Sequence, residues 1–81
     1  MRIFYSPKFK PSLKKFPKEI RDKFYKQTIF LLKDIRYPSL QVKKYDKSRR
    51  IWQARVDRNI RFYFLIEKDI YYILYIKHHP K

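Results

Sequence analysis

Three apolar runs in the second half of the chain, joined by very short connections, most constrain how it can fold. The runs are Ile51 to Val56, Ile60 to Glu67 and Ile70 to Lys77, and two or three residues separate each run from the next. Connections this short join antiparallel strands, because a parallel crossover needs about a dozen residues or more. Leu40 to Tyr45, before a turn at residues 46–48, adds a further short strand. The C-terminal half is therefore predicted to be an antiparallel meander.

Proline and helical periodicity organise the N-terminal half. After a β-prone start over Arg2 to Tyr5, a short helix is predicted over Pro11 to Phe16, and Pro17 opens a second helix that runs to about Lys33. Tyr25 and Ile29 fall outside the apolar stripe of that second helix. The stripe comprises Ile20, Phe24, Leu31 and Ile35, flanked by Thr28 and Leu32. Two helices before a meander predict an α+β fold in one domain, residues 1–81, with the helices on one face of the sheet.

The composition excludes several classes of protein. The chain has no Cys, so neither a disulfide nor a thiolate zinc site can stabilise it, and no thiol nucleophile is available. Aromatic residues form 20% of the chain and supply the bulk that a small core needs. No apolar run approaches the roughly 18 residues of a transmembrane helix, and the N-terminus lacks a signal-peptide pattern. We expect a soluble, cytoplasmic protein that does not contact a membrane.

The charge is strongly basic and unevenly distributed. Lys and Arg number 22 against 7 Asp and Glu, which gives a net charge of +15. Residues 36–61 alone contain nine basic residues and two acidic ones. Such a surplus destabilises a folded domain by self-repulsion. A bias in composition or a solubility device would explain the charge alone, but its clustering favours a polyanionic partner, either nucleic acid or an acidic protein.

Strand alternation predicts a sheet face that combines cations with tyrosines. In the central strand, Ile60, Phe62 and Phe64 face the helices, which turns Arg61 and Tyr63 to the outer face. The other residues assigned to this outer face are Gln41, Lys43, Tyr45, Ile51, Gln53, Arg55, Leu65, Glu67, Tyr71, Ile73, Tyr75, Lys77 and His79. Cations bind phosphate oxygens and tyrosine rings stack with unpaired bases, as in single-stranded RNA recognition. The alternative is a solvated face with tyrosines that merely favour strands.

The turn before the last strand leaves one detail of this face open. Because the turn at Glu67 to Asp69 can hold two or three residues, the register decides whether His79 or His78 lies beside Arg61. An imidazole can donate or accept a proton near neutral pH, so either histidine could serve in acid–base chemistry. The paired histidines could instead bind a metal, but no Cys or nearby carboxylate completes such a site. We expect neither a metal nor another cofactor.

Five segments in order along nearly the whole chain carry a family resemblance. They are residues 13–20 (LKKFPKEI), 37–40 (YPSL), 51–56 (IWQARV), 60–64 (IRFYF) and 75–79 (YIKHH). Together they resemble the RelE/ParE superfamily of toxins from toxin–antitoxin systems. The resemblance implies two N-terminal helices packed on one face of a small antiparallel sheet, in agreement with the pattern of the sequence.

The resemblance also implies roles for individual residues. RelE-like and YoeB-like members cut mRNA on the ribosome without a metal. By position, Arg61 would hold the scissile phosphate, Arg55 would add a second basic group, and His79 or His78 would be the general acid. Because Arg61 points outward, we expect its removal to leave the fold intact. To RNA binding we assign Lys44, Tyr45, Arg49, Arg50, Tyr63, Tyr75 and Lys77.

Two departures from the family pattern leave the activity open. The glutamate that is the base in YoeB-like members has no counterpart in Leu40 to Tyr45, so Lys43 or Lys44 would act instead. Many RNA-cutting members carry a tyrosine where Pro80 and Lys81 stand here. ParE-like members, which poison DNA gyrase, lack the catalytic set. We therefore rank a ribosome-dependent mRNA endonuclease first, a gyrase inhibitor second and a non-toxic RNA-binding protein third.

An acidic antitoxin is the predicted protein partner, beside mRNA and ribosomal RNA. Without a partner that covers it, a chain with a net charge of +15 would bind nucleic acid without sequence specificity. Tyr25 and Ile29 point away from the core stripe, and we assign them to antitoxin binding, although packing under a loop or self-association would also explain them. The resemblance implies an antitoxin segment that folds on binding.

Overall fold

The computed structural model describes residues 1–79 as two helices packed on a five-stranded mixed sheet. The elements are β1 (Arg2–Tyr5), α1 (Phe9–Lys14), α2 (Lys18–Lys33), a 3₁₀ turn (Pro38–Leu40), β2 (Lys43–Asp46), β3 (Ile51–Arg55), β4 (Ile60–Glu67) and β5 (Ile70–His78). The strand order is β1-β5-β4-β3-β2, in which β1 pairs parallel with β5 and the other pairs are antiparallel. The α+β architecture is confirmed, with β1 as an unpredicted parallel addition. Neither α1 nor α2 is long and apolar enough to cross a membrane.

The first helix begins earlier than predicted because an aromatic side chain anchors its first turn. Phe9 is fully buried, and its ring lies 5.3 Å from that of Tyr5 and 5.0 Å from that of Phe24. The helix spans Phe9–Lys14 rather than Pro11 to Phe16, and Pro11 still lies in its first turn. The second helix follows Pro17 and ends at Lys33, as predicted.

A buried amide fastens the second helix to the sheet. The Gln27 Nε2 donates to the carbonyl oxygens of Ser39 (3.1 Å) and Arg55 (2.7 Å), while its Oε1 accepts from the Ser39 hydroxyl (3.0 Å). On the same helix Phe24 and Leu31 enter the core, but Leu32, expected to flank the stripe, is exposed. The amide thus replaces apolar contact where α2 meets the 3₁₀ turn and β3.

A bulge in β5 reverses the predicted faces of its first half. Tyr63 pairs with Tyr75, but the next residue, Phe64, pairs with Ile73, so Leu74 is an extra residue. From there on Tyr71 and Ile73 face the helices and are buried, which corrects their assignment to the outer face. By the same pairing, Ile70 and Tyr72 lie on the outer face, whereas strict alternation with Tyr71 and Ile73 outside would have turned them towards the helices. The turn itself holds two residues, with Lys68 at φ 52°.

The strand predicted over Leu40 to Tyr45 is shorter and starts later. Pro38–Leu40 form the 3₁₀ turn, and Gln41 has a left-handed backbone (φ 44°, ψ 52°), so pairing with β3 begins at Lys43. Leu40 is fully buried, as expected. A register shift between Lys44 and Asp46 then leaves Tyr45 as an extra residue on this edge strand.

Candidate nucleic-acid interface

Three cations stand side by side across three strands on the sheet face opposite the helices. Arg55 of β3 pairs with Arg61 of β4, and Arg61 pairs with Lys77 of β5. We call these three residues the cation row. Like charges directly opposite each other on a sheet are destabilising, so the row costs free energy in the absence of an anion. A negatively charged group lying across the three strands would remove this repulsion.

Arg61 lies deeper than an outward-pointing arginine was expected to lie. Its exposed fraction is 9%, and its Nη1 donates to the carbonyl oxygens of Asp57 (2.7 Å), Ile60 (3.2 Å) and Arg58 (3.3 Å). Burial, and then the charge of Arg55, lowers the pKa of Arg61, although an arginine remains a cation at neutral pH. The Arg61 guanidinium therefore also fastens the β3–β4 turn, in addition to its predicted place on the outer face.

The guanidinium groups of the row retain donors for an incoming oxygen. All side-chain hydrogen bonds of Arg61 within residues 1–79 are made by Nη1, which leaves Nε and Nη2 for another acceptor. The Nε of Arg55 is buried and has no hydrogen-bond partner in the described part of the chain. A buried donor without a partner costs free energy, and an acceptor would offset that cost. Arg61 can therefore bind an anionic oxygen as it stands, and Arg55 can do so once its guanidinium turns towards solvent.

A tyrosine cluster adjoins the cation row. The Tyr63 ring lies 4.7 Å from the rings of both Tyr45 and Tyr75, and the Lys77 Nζ lies 5.2–5.7 Å from all three ring centres. Tyr63 is 1% exposed, and burial raises its pKa, with Tyr45 and Tyr75 contributing next. Tyr45 is 46% exposed. Base stacking is thus open to Tyr45, whereas Tyr63 supports its neighbours and holds Lys77.

The remaining predicted RNA-binding cations divide between the two faces. Lys43 lies on the outer face, where it pairs with Gln53, two residues before Arg55 on β3. Lys44 pairs with Trp52 on the helix side, and its Nζ lies 5.4 Å from that ring. Arg50 lines a surface groove with Lys44 and Trp52, so it also lies apart from the cation row. The structure therefore separates Lys44 and Arg50 from Arg61.

Arg49 is engaged by the nearest carboxylate. Its Nε donates to Asp46 Oδ2 at 2.7 Å, and this bond, followed by that from Ser48, lowers the pKa of Asp46 to about 2. The hydrogen bond to Asp46 is the main cause that raises the pKa of Arg49, and Tyr75 and Tyr45 contribute after it, which places this ion pair beside the tyrosine cluster. The Asp46 carboxylate is thus engaged by Arg49 and Ser48.

The two histidines have different surroundings at the end of β5. His78 pairs with Ile60, and its ring lies 5.3 Å from that of Phe16 on the helix side. The His79 main-chain nitrogen donates to the Asn59 carbonyl at 2.7 Å and so continues the ladder by one residue. Strand alternation then places His79 on the same face as Lys77. No group of three or more His, Asp or Glu side chains in residues 1–79 is arranged to bind a metal.

The residues assigned to antitoxin binding lie on an exposed face of α2. Tyr25 is 42% exposed and Ile29 53%, and the neighbouring Leu32 is 44% exposed. Spaced by four and three residues, these side chains share one side of the helix. The periodicity of α2 identified Tyr25 and Ile29 but placed Leu32 against the core.

Two polar residues shape the interface although the sequence had given neither of them a role there. Gln53 is buried on the outer face, between Lys43 and Tyr63 in the pairing of the sheet. The Oδ1 of Asp57 accepts a hydrogen bond from the Asn59 main-chain N–H (2.8 Å). The main-chain carbonyl oxygen of Asp57 accepts one from the Arg61 Nη1. An Asp two residues before an Asn in a short connection is a turn signal, and it would have identified Asp57 as the organiser of the β3–β4 turn.

Solved structures share this architecture over nearly their whole length. A YoeB/ParE toxin from Agrobacterium tumefaciens superposes with a TM-score of 0.80 at 8% identity, covering 99% of this chain and 100% of that one. The archaeal RelE–RelB complex from Pyrococcus horikoshii OT3 superposes with a TM-score of 0.79 at 17% identity, covering 95% of this chain and 92% of that one. YafQ from Escherichia coli BL21(DE3) superposes with a TM-score of 0.71 at 17% identity, covering 95% of this chain and 91% of that one.

The similarity is one of fold. No protein-family model matches the sequence. No curated protein matches it either. The resemblance to the RelE/ParE superfamily in the sequence is confirmed at the level of the fold by the three structures, all of which are less than 20% identical to this chain.

Proposed function

We propose that the protein is the toxin of a toxin–antitoxin module and cuts mRNA on the ribosome in the cytoplasm. The observation that carries the proposal is the cation row, in which Arg55, Arg61 and Lys77 are opposed across three strands. A phosphodiester of the RNA would lie across this row and offset the repulsion among the three charges. The fold shared with YoeB, RelE and YafQ structures supports the same assignment.

The proposed reaction is an internal transfer of the phosphoryl group. The 2′-oxygen of the ribose attacks the phosphorus, the bond to the 5′-oxygen of the next nucleotide breaks, and a 2′,3′-cyclic phosphate and a 5′-hydroxyl result. Arg61 and Arg55 would stabilise the charge that develops on the phosphorane. His79 would donate a proton to the leaving 5′-oxygen, and Lys43, in its neutral form, would accept the proton of the 2′-hydroxyl.

The ends of the RNA products test this reaction. Ribosomes translating a defined mRNA would be incubated with the protein, the cut positions mapped by primer extension, and the 3′ ends examined chemically. Cyclic phosphate ends on wild-type products, with no cutting by Arg61→Ala, are expected. A 3′-hydroxyl end would contradict the reaction, and intact mRNA on active ribosomes would contradict the endonuclease.

A gyrase inhibitor is the second candidate, and one observation favours it. The carboxylate beside the tyrosine cluster, Asp46, is paired with Arg49, so that part of the interface holds no free carboxylate base. A supercoiling assay with purified gyrase separates the candidates. Inhibition of supercoiling while translated mRNA stays intact would reverse the ranking. If the protein neither inhibits supercoiling nor cuts mRNA, and its expression does not arrest growth, a non-toxic RNA-binding protein is the remaining candidate.

An acidic antitoxin is the proposed protein partner, docked on the exposed apolar face of α2. Several of the structures with this fold are complexes, among them RelE–RelB and YoeB–YefM. Apolar side chains of an antitoxin segment would cover Tyr25, Ile29 and Leu32, and its carboxylates would reach the basic surface with fast, salt-sensitive association.

Paired substitutions on α2 test the docking surface. Tyr25→Asp with Ile29→Asp should abolish co-purification with an acidic protein expressed from the adjoining gene, because charge would be buried in an apolar contact. Lys18→Gln with Lys33→Gln, at the two ends of the same helix, lowers the net charge by the same two units and is the matched control. Unchanged affinity of the Tyr25 and Ile29 variant would place the docking surface elsewhere.

A further inference from the structure

A groove at the end of the sheet adjoins the cation row and has a cavity volume of about 870 Å³. Its apolar floor includes Phe16, Ile60 and Ile76, and its polar rim includes Asp57, Asn59 and His78. An apolar floor with a few convergent polar groups is typical of a small-ligand site, and the volume exceeds what one nucleoside needs. The groove is therefore large enough for a base that leaves the RNA stack.

The groove and the cation row share structural parts. Lys77 belongs to the row and also borders the groove. Asp57 lines the groove, while its carbonyl oxygen holds the Nη1 of Arg61 at 2.7 Å. Because the floor of the groove is on the helix side, a strand whose phosphate lies on the row would reach the groove with a neighbouring nucleotide by passing around the end of the sheet.

From these observations we propose that the groove binds one nucleobase of the RNA and stacks it on His78. This inference rests on the proposed function, since it concerns the same RNA strand. The ring of Phe16, 5.3 Å away and tilted by 39°, backs the His78 ring and fixes its orientation, while the rest of His78 stays exposed. A flat, supported ring of this kind is a platform on which an unpaired base stacks.

The rim of the groove selects among bases. Within residues 1–79, the Asp57 carboxylate accepts one hydrogen bond, from the Asn59 main-chain N–H to Oδ1. Its Oδ2 can therefore accept a further hydrogen bond. Adenine, cytosine and guanine carry an exocyclic amino group that donates to a carboxylate. Uracil offers only its N3–H, which lies between two carbonyl oxygens that a carboxylate repels. The groove therefore disfavours uracil through Asp57, while His78 holds the base by stacking, which leaves proton transfer to His79.

Binding of short RNA tests the proposal without cleavage. Fluorescently labelled oligoribonucleotides, with 2′-O-methyl groups to prevent cutting, would carry A, C, G, U or an abasic residue at each position in turn. At one position the abasic residue should weaken binding about tenfold, and uracil should weaken it about fivefold relative to cytosine. His78→Ala should remove the abasic effect, His78→Phe should retain it, and Asp57→Asn should remove the discrimination against uracil.

Each contrary outcome overturns a different statement. Binding that does not depend on the base at any position would overturn the groove assignment and leave the RNA proposal standing. If His78→Phe behaves like His78→Ala, stacking is wrong. If His78→Ala binds RNA normally but loses an acidic protein partner, the groove belongs to that protein. If no oligonucleotide binds, including abasic ones, the proposed function fails together with this inference.

Discussion

At the scale of single residues, Arg61 combines a proposed role in phosphate binding with hydrogen bonds that hold its own turn, and one substitution cannot separate the two. Arg61→Ala should lower the cleavage rate by about 100-fold or more, because it removes donors to the transition-state phosphate. It should also lower the free energy of unfolding by about 1–3 kcal/mol, since the carbonyl oxygens of Asp57 and Ile60 lose a charged donor. Cleavage assays and urea unfolding on the same preparations measure the two effects.

Two further variants make the Arg61 result interpretable. Arg61→Lys keeps the charge but not the planar fork, so it should recover part of the stability and little of the activity. Arg36→Ala removes an exposed arginine from the helical side and should change neither quantity by much. Full cleavage by a folded Arg61→Ala protein would show that the cation row does not hold the scissile phosphate.

Asp46 gives the molecule a defined response to acid. Its pKa is about 2 in the folded state against 3.8 ordinarily, chiefly because Arg49 donates to it. The lowered pKa means that the ionised form stabilises the fold above about pH 4 and that this contribution is lost as the pH falls through about 2. Asp46→Asn should therefore have a lower Tm than wild type at pH 7, and the difference should shrink steadily as the pH is lowered from about 4 to about 2. A Tm difference that is independent of pH would contradict the assignment.

At the scale of the elements, the Gln27 amide joins α2, the 3₁₀ turn and β3. Gln27→Leu has nearly the same volume but leaves the Ser39 and Arg55 carbonyl oxygens without their donor. We expect a loss of about 2–3 kcal/mol in the free energy of unfolding, measured by urea denaturation. Lys26→Leu, the exposed neighbour on the same helix, is the control and should change it by less than about 0.5 kcal/mol. Equal effects would show that the amide contributes nothing specific.

The elements that could be read from the sequence are those with local signals. Pro17 and the 3.6-residue period located α2, and alternation located β3 and β4 with their faces. The bulge at Leu74 could not be foreseen, because it is a choice of pairing between two strands and leaves the apolar pattern of Ile70 to Lys77 unchanged. The parallel contact of β1 with β5 is likewise a long-range choice, invisible in the four residues of β1.

The sequence predicted which residues share the candidate site better than it predicted how deeply each of them is buried. Alternation brought Arg55, Arg61 and Tyr63 to one face, as the pairing of β3 with β4 shows. It could not show that Tyr63 would be covered by Tyr45 and Tyr75, or that Arg61 would bond to its own turn, because both depend on side-chain packing across strands. The same alternation would have separated Lys44 from the row, although Lys44 was assigned to RNA binding.

At the scale of the whole molecule, positive charge is largely uncompensated. Within residues 1–79 the ion pairs are Arg2–Asp69, Lys23–Glu19, Arg36–Asp34 and Arg49–Asp46, and most cations have no acidic neighbour. Their mutual repulsion disfavours the compact state, so a polyanion that binds the folded chain should stabilise it. The distribution of charge over both faces also means that weak RNA binding alone would not identify a site.

The salt dependence of RNA binding can separate a defined track from general attraction. Each phosphate contact to a single strand contributes about 0.7 to the slope of log Kd against log salt. Lys77→Gln should therefore lower the slope by about that amount, because the Lys77 ammonium is held on the tyrosine cluster beside Arg61. Lys33→Gln removes the same charge from the last turn of α2, on the other side of the sheet, and should leave the slope unchanged. The measurement is fluorescence anisotropy of one 12-nucleotide RNA at several salt concentrations. If both variants lower the slope equally, RNA follows the net charge of the molecule and the cation row is not a specific track.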